Sequence, residues 1–381
     1  MHDFTYSNPT KIEFGKGKEH QIGEYLAQNG VRKVLLVYGT GSIKKNGLYE
    51  NVLASLNKSN ILCVELSGVV SNPLLSKVNE GIDLAKEHAV DAILGVGGGS
   101  VVDSAKAMAV GAKYDGDVWD FFIHKAVITE ALPVFTVMTL SAAASEMNGN
   151  SVVMKDETKQ KYSISSVLVN PVVSVINPEL MATVSAEYLA YSAVDVIAHS
   201  IEIYLTASVH PDFNSRIVES IIKSIMQTTE ILLDNPNDYD ARAEFAWVAI
   251  QALNGLTPAG TKGGSFPNHL IEHSLSALFN VAHGAGLAVV IPAWMKYYKE
   301  QNLARFERFA KELFNEDSAD AGINRLEAWF AKVGAPVSLK DANIPRESID
   351  ELAQNASETA TVWGMSDFYT KETIIEILEK A

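Results

Sequence analysis

Three of the chain's nine histidines fall between positions 269 and 283, in the stretch NHLIEHSLSALFNVAH. His269 and His273 are four apart, and Asp195 and His199 repeat that spacing in SAVDVIAHSIEIY. On a helix, residues four apart project from one face about a turn apart, so each pair can offer neighbouring ligand atoms to one cation. A single such histidine is more often a core residue than a ligand; an Asp and several His together form a metal-site pattern. One carboxylate with imidazoles and no thiolate suits Fe(II) or Zn(II), with a coordination position left for a substrate oxygen. A metal so placed polarises a carbonyl or stabilises an alkoxide. His283 follows His269 by fourteen positions, about 21 Å of rise on a straight helix. Bonds of ~2.0–2.1 Å to one ion cannot span that, so the helix must break between them. Asn280 and His283-Gly284-Ala285-Gly286 suit ending one helix and starting another at an angle. The residues alone do not say which histidine stays outside the metal's shell.

A second cluster suits phosphate. Gly97-Gly98-Gly99-Ser100 follows the apolar run DAILGV and precedes the small-residue stretch VVDSAKAMAVGA. There backbone N–H groups and the positive end of a helix can receive a phosphate unobstructed by side chains. The spacing is not the G-x-G-x-x-G fingerprint. An earlier turn, Gly39-Thr40-Gly41-Ser42, is followed by Lys44 and Lys45. No acid stands there to take a ribose 2′-hydroxyl, which leaves room for a 2′-phosphate.

The elements that must position these groups fall into two halves. Arg32–Tyr38, Ile61–Leu66, Asp91–Val96, Val134–Val137 and Val172–Ile176 read as short strands alternating with helical stretches, the pattern of a mainly parallel sheet. Phe4, Tyr6, Ile12 and Phe14 alternate ahead of them, suggesting a small hairpin or a pair of edge strands. After Asn177-Pro178 only helical periodicity remains: Tyr188–Thr206, Ser215–Leu233, Arg242–Leu253, Leu270–Phe279, Leu303–Phe314, Ile323–Val333 and Lys371–Lys380. The expected architecture is an α/β dinucleotide-binding domain over 1–180 and an all-helical metal and substrate domain over 181–381. A chain of 381 residues is long enough for both. A net charge of −15 disfavours nucleic acid and anionic membrane as partners. The lone Cys63 rules out an intrachain disulfide and a thiolate metal cage. The first residues have no apolar signal core, and no run reaches the ~18 residues of a membrane span, so a cytoplasmic location is expected.

In order and over nearly the whole chain, GVGGGSVVDSAKA, Ser145-Glu146, Asn177-Pro178, DVIAHSIEIY, NHLIEH and VAHGAGLAVVIP resemble the iron-containing (group III) alcohol dehydrogenase family. YGTGSIKKNG resembles its NADPH-dependent butanol dehydrogenase and aldehyde reductase branch. The resemblance implies a fold shared with dehydroquinate synthase. It implies that Asp195, His199, His269 and His283 hold the metal and that His273 lies beside the substrate as a proton relay. It assigns Gly97, Gly98, Gly99, Ser100 and Asp103 to the pyrophosphate, and Gly39, Gly41 and Ser42 to the adenosine ribose. Asn72, Thr139, Ser141, Asn148 and Lys161 are further cofactor positions, with Lys161 near the nicotinamide ribose. Gly39 stands where NAD-preferring relatives carry Asp, which favours NADP(H). A homodimer acting on a small, butanal-like aldehyde or alcohol is implied as well.

Two departures from the family pattern stand out. Thr139–Glu146 reads TLSAAASE, with Ala143 and Ala144 replacing a Thr and a Gly, which leaves Ser141 or Ser145 as the available hydroxyls. Asn177 replaces a common Asp. Polyol dehydrogenases and lyases of the dehydroquinate synthase type share the architecture, but such a lyase needs a cluster of Lys and Arg, and only Lys262 lies near the metal segments. A non-catalytic metal- or nucleotide-binding protein is the remaining alternative. Trp119, Phe121, Phe122, Phe266, Trp294 and Trp363 are candidates for an apolar pocket, though aromatics serve first as core.

Overall fold

Short runs rich in Val, Ile and Leu, each closed by a turn residue, become the strands of a sheet covered on both faces. The computed structural model describes residues 1–381 and falls into two compact units, Asn8–Thr183 and Val184–Ala381, the latter together with Met1–Ser7. The first unit contains β1 (Lys11–Phe14), β2 (Lys33–Gly39), β3 (Leu62–Val69), β4 (Ala92–Gly97), β5 (Val134–Met138), β6 (Asn150–Lys155), β7 (Gln160–Ser165) and β8 (Val173–Ile176). Its helices are α1 (Ile22–Gln28), α2 (Ser42–Lys45), α3 (Leu48–Lys58), α4 (Leu75–Glu87), α5 (Gly99–Gly111) and α6 (Trp119–Phe122).

Six strands form one parallel sheet in the order β1-β8-β5-β4-β2-β3. Every residue of central β4 is buried, as a strand with helices on both faces requires. β2 and β4 lie side by side with Tyr38 opposite Val96. The Gly39 and Gly97 turns therefore open at the same carboxyl edge of the sheet, where open α/β sheets bind ligands.

Of the expected opening hairpin or pair of edge strands, one edge strand forms, β1 with Ile12 and Phe14. β1 pairs in parallel with β8, and Phe4 and Tyr6 lie outside any strand because residues 1–7 belong with the helical unit. The His2 N–H donates to the Gly260 carbonyl at 2.8 Å, which satisfies that segment's backbone away from the sheet. The antiparallel pair β6–β7 was not expected from the sequence; its link, DETK, lacks the Asn-Gly or Asp-Gly of a two-residue hairpin turn.

The second unit contains helices α7 (Ala186–Thr206), α8 (Asp212–Asp234), α9 (Tyr239–Gln251), α10 (Pro267–Phe279), α11 (His283–Tyr298), α12 (Leu303–Phe314), α13 (Ala319–Lys332), α14 (Ile349–Val362) and α15 (Lys371–Leu378). α11 and α14 are additional to the seven helices read from periodicity. In α11 every residue from Gly284 to Met295 is buried, so no apolar stripe stands out against a polar face, and Pro292 lies within it. α7, likewise buried along most of its length, begins at Ser185, whose side chain accepts the Tyr188 N–H as an N-cap should. No helix is long and apolar enough to cross a membrane.

Candidate functional site

α7 carries Asp195, His199 and Glu202, spaced to share one face, and all three are buried. α10 carries His269, Glu272 and His273, also buried. The break expected between His269 and His283 is present. Asn280 ends α10 in the left-handed region at φ 52°, Ala282 is extended, and His283 opens α11. The turn brings His283 back beside the residues a straight helix would have left far behind.

Three imidazoles then converge on one carboxylate oxygen. His199 Nδ1 lies 3.2 Å from Asp195 Oδ1, and His269 Nε2 and His283 Nε2 each lie 3.7 Å from it. Donors bonded tetrahedrally to one ion at ~2.1 Å stand ~3.4 Å apart; Asp195, His199 and His269 offer ligand atoms all within 4.8 Å of one another, Glu272, His273 and His283 form a second such group, and His283 Nε2 links the two through its distance to Asp195 Oδ1. Asp195 Oδ1, His199 Nδ1 and His269 Nε2 are buried and have no hydrogen-bond partner in the protein. Buried polar atoms are nearly always paired, and a metal is the group that would satisfy all three. The donor set and its orphaned atoms fit a divalent ion.

The electrostatics agree. Burial pushes the Asp195 carboxyl up, but the surrounding His199, His283 and His269 imidazoles outweigh it and hold the group well below the ordinary carboxylate value. Burial pulls His199 down to about 4, keeping it neutral with a lone pair to donate. Burial also acts to lower His269, yet the Glu202 and Asp195 carboxylates on either side raise it to about 10. The two carboxylates that favour positive charge at His269 would equally favour a divalent cation, which would displace the His269 proton and leave that imidazole a neutral donor like His199.

Glu202 and Glu272 were not singled out in the sequence, and both belong to this site. Glu202 Oε2 pairs with His269 Nδ1, and Glu272 Oε2 pairs with His283 Nδ1. The available signal was a glutamate inside each apolar helix, Glu202 three residues after His199 and Glu272 three after His269. Ring contacts add two aromatics: Phe266 lies edge-on to His269 at 5.7 Å and Trp363 edge-on to His273 at 5.2 Å. The other aromatic candidates are core. Trp119 stacks on Phe122 and Tyr162, and fully buried Trp294 stacks on Tyr298 and donates its indole N–H to the Tyr369 hydroxyl.

In the sheet unit, Gly98 precedes α5 and no side chain caps that helix's N-terminus, so Gly99 and Ser100 present backbone there for an anion. Gly97 also serves packing, since a Cβ on it would meet Val101 Cγ2 at 2.5 Å. The Thr139 N–H donates to the Gly97 carbonyl, placing Thr139 beside the same turn. Lys161 donates to Asn72 Oδ1 at 3.0 Å, both residues being buried and Asn72 left-handed at φ 54°.

Other expected cofactor positions are engaged within the fold. Asp103 accepts from the Ser145 hydroxyl at 2.6 Å and from the Val152 N–H at 3.1 Å. The fully buried Lys106 ammonium donates to Ser145 Oγ, to the Asn148 and Asn150 carbonyls and to Asn148 Oδ1. Asn148 Nδ2 donates to the Ala143 carbonyl, and the Ser141 hydroxyl faces Met181 Sδ at 3.4 Å. Ala144 is left-handed at φ 50°, a conformation that Gly, the family residue there, adopts without strain.

At the first turn, Gly41 has φ 124° and precedes α2, which Ser42 opens. Lys44 lies over the Tyr38 and Tyr49 rings, 5.2 and 4.4 Å from their centroids. Both phenols donate to Glu65. A Cβ on Gly39 would meet only the Val69 carbonyl, at an ordinary 3.4 Å.

Residues 9–178 match the model of the iron-containing alcohol dehydrogenase family, and residues 189–381 match that family's C-terminal model. The chain belongs to the iron-containing alcohol dehydrogenase family. It is 39% identical to the probable NADH-dependent butanol dehydrogenase 1 of Bacillus subtilis (strain 168), over 100% of this chain and 99% of that protein. It is 31% identical to an NADPH-dependent aldehyde reductase of Escherichia coli (strain K12), over 94% of this chain and 94% of that one. The crystal structure of an NADH-dependent butanol dehydrogenase A from Thermotoga maritima matches with a TM-score of 0.97 at 49% identity, covering 100% of this chain and 99% of that one. Membership makes this chain an alcohol dehydrogenase and implies a nicotinamide cofactor and a metal, typically iron.

Proposed function

We propose that the protein reduces small apolar aldehydes of about butanal size with NADPH, using a metal held by Asp195, His199, His269 and His283. The reaction consumes one aldehyde, one NADPH and one proton, and yields the alcohol and NADP+. The observation that carries this reading is the convergence of three imidazole nitrogens within 3.7 Å of Asp195 Oδ1, with three of the four atoms unpartnered in the protein. A divalent metal bound there, Fe(II) or Zn(II), supplies Lewis acidity toward a carbonyl oxygen, and the nicotinamide supplies the hydride.

Around it, this chain's residues bind, orient and exclude water. Asp195 contributes the negative charge and the histidines the neutral donors. His273, one turn along α10 from His269 and packed against Trp363, is the imidazole placed to pass a proton to the product oxygen. Phe266 and Trp363 are apolar surfaces beside the histidines and suit a short alkyl chain. Gly97, Gly98, Gly99 and Ser100 receive the pyrophosphate, Lys161 serves the nicotinamide ribose, and Asn72, which accepts from Lys161, is a further cofactor contact. The absence of a carboxylate at Gly39 and the cations Lys44 and Lys45 support NADP(H).

The Bacillus and Thermotoga relatives, both named as NADH-dependent butanol dehydrogenases, favour a second reading, NADH as the working cofactor. Metal-loaded protein assayed with butanal and each reduced nicotinamide decides between them. At least tenfold higher kcat/KM with NADPH is expected, and a ratio favouring NADH selects the second reading. A lyase would consume no net nicotinamide with a simple aldehyde, and a correctly folded His269→Ala variant with full activity and metal content would refute the site. Elemental analysis identifies the metal. The implied homodimer is checked by light scattering against the 41.3 kDa chain mass.

A further inference from the structure

The four residues assigned to the metal are not equally enclosed. The side chains of Asp195, His199 and His269 are 6%, 6% and 8% exposed, whereas His283 is 27% exposed. His283 is also the first residue of α11, three residues beyond the left-handed Asn280 that ends α10. It closes the site from its more open side, and its ring direction is set where two helices meet.

That joint is organised around Glu272, which is fully buried. One carboxylate oxygen pairs with His283 Nδ1, and the other faces the Ser276 hydroxyl. Ser276 Oγ is also 3.1 Å from the Val281 carbonyl, within the link between the helices. The first turn of α11 passes so close that a Cβ on Gly286 would meet Glu272 Cγ and Oε1 at 2.8 Å. A carboxylate at the positive end of α11 is favourably placed. With Nδ1–H committed to Glu272, the His283 tautomer leaves Nε2, 3.7 Å from Asp195 Oδ1, with a lone pair to offer a metal there.

We propose that Glu272 is a positioning residue that latches His283 over the metal and sets how long the metal is retained. The proposal rests on the metal-site reading above. Glu202 pairs with His269 in the same manner, but it also accepts the backbone N–H groups of Asn268 and His269 at the start of α10. Its loss therefore disturbs the fold as well as the ligand, whereas Glu272 acts on the more exposed ligand of the four.

The test is the rate at which metal-loaded protein yields its metal to excess chelator, measured with Co(II) by the loss of its visible absorption and repeated with Zn(II). Glu272→Gln and Gly286→Ala should each accelerate release by about 10–100-fold, the range in which such outer partners act. Metal-free Glu272→Gln should melt with the wild type, metal-free Gly286→Ala somewhat lower because its Cβ must displace the buried Glu272 side chain, and in both the Co(II) spectrum should change because one imidazole is reoriented. Gly286→Ala leaves both the ligand and its partner chemically intact, so it tests the placement of the carboxylate separately. Wild-type release from Glu272→Gln overturns the proposal while leaving the metal site standing. Faster release accompanied by an equally large fall in metal-free melting temperature also overturns it, because that is a structural role. If the wild type takes up no stoichiometric metal, the metal-site reading fails and this proposal with it.

Discussion

Replacing Gly284 by Ala should disable the metal site without touching any residue that contacts the metal. A Cβ at that position would lie 2.0 Å from the Tyr191 carbonyl oxygen and 2.6 Å from its carbon. Ordinary contact begins at 3.4 Å, so the start of α11 and the backbone of α7 must part by about 1.4 Å. Neither partner is a flexible side-chain end that could turn aside. His283 is the adjacent residue and moves with Gly284, so its 3.7 Å separation from Asp195 Oδ1 opens to about 5 Å, well beyond the ~3.4 Å between donors on one tetrahedral ion. Forcing apart a packed contact costs about 1–3 kcal/mol, and misplacing one ligand should weaken metal binding at least tenfold. The assay titrates metal-free wild type and Gly284→Ala with Co(II) against a chromophoric chelator, with circular dichroism to confirm the fold. A folded variant that binds metal with wild-type affinity would refute the claim that this glycine's close approach positions His283.

Three further outcomes are expected. Saturating metal should stabilise the protein by about 2.7 kcal/mol at a hundred times its Kd, so chelation should lower Tm in the wild type but not in Asp195→Asn; equal melting with and without chelator in the wild type would count against the site. Gly39→Asp should shift the NADPH-to-NADH ratio of kcat/KM toward NADH by at least tenfold without loss of stability, because a Cβ there meets only an ordinary contact; an unchanged ratio would remove Gly39 from the specificity argument. Burial lifts Glu146, whose carboxylate oxygens have no hydrogen-bond partner, from 4.5 to about 7. The folded state therefore holds a proton that the unfolded chain loses, and this stabilisation, full below pH 4.5, is lost as pH rises through 7. Glu146→Gln should remove a decline on the order of 3 kcal/mol between pH 5 and pH 8, read as the variant-minus-wild-type difference in denaturant melts; a difference that does not change with pH would show that the carboxyl is not protonated in the fold.

Spacing alone made the pairs Asp195/His199 and His269/His273 visible, because a helix of fixed pitch turns a separation of four into a shared face. Bond length against helical rise likewise required a break before His283, and Asn280 supplies it. The glycine runs after β2 and β4 were legible because strand, glycine and helix follow one another locally. The sequence did not disclose Glu202 and Glu272. Their partners lie on another helix or across the break, and a glutamate within an apolar stretch looks the same whether it faces water or an imidazole. Nor could it reveal that Asp103 and Asn148 spend their polar groups on the 143–152 segment, since those bonds exist only once α5 packs against β6. The start of α11 was legible at His283 but its length was not, for a related reason: a helix buried on every side has no periodic contrast to read. Local geometry fixed by the chain was thus available from residue spacing, whereas the partners that orient each ligand depended on which elements came to lie side by side.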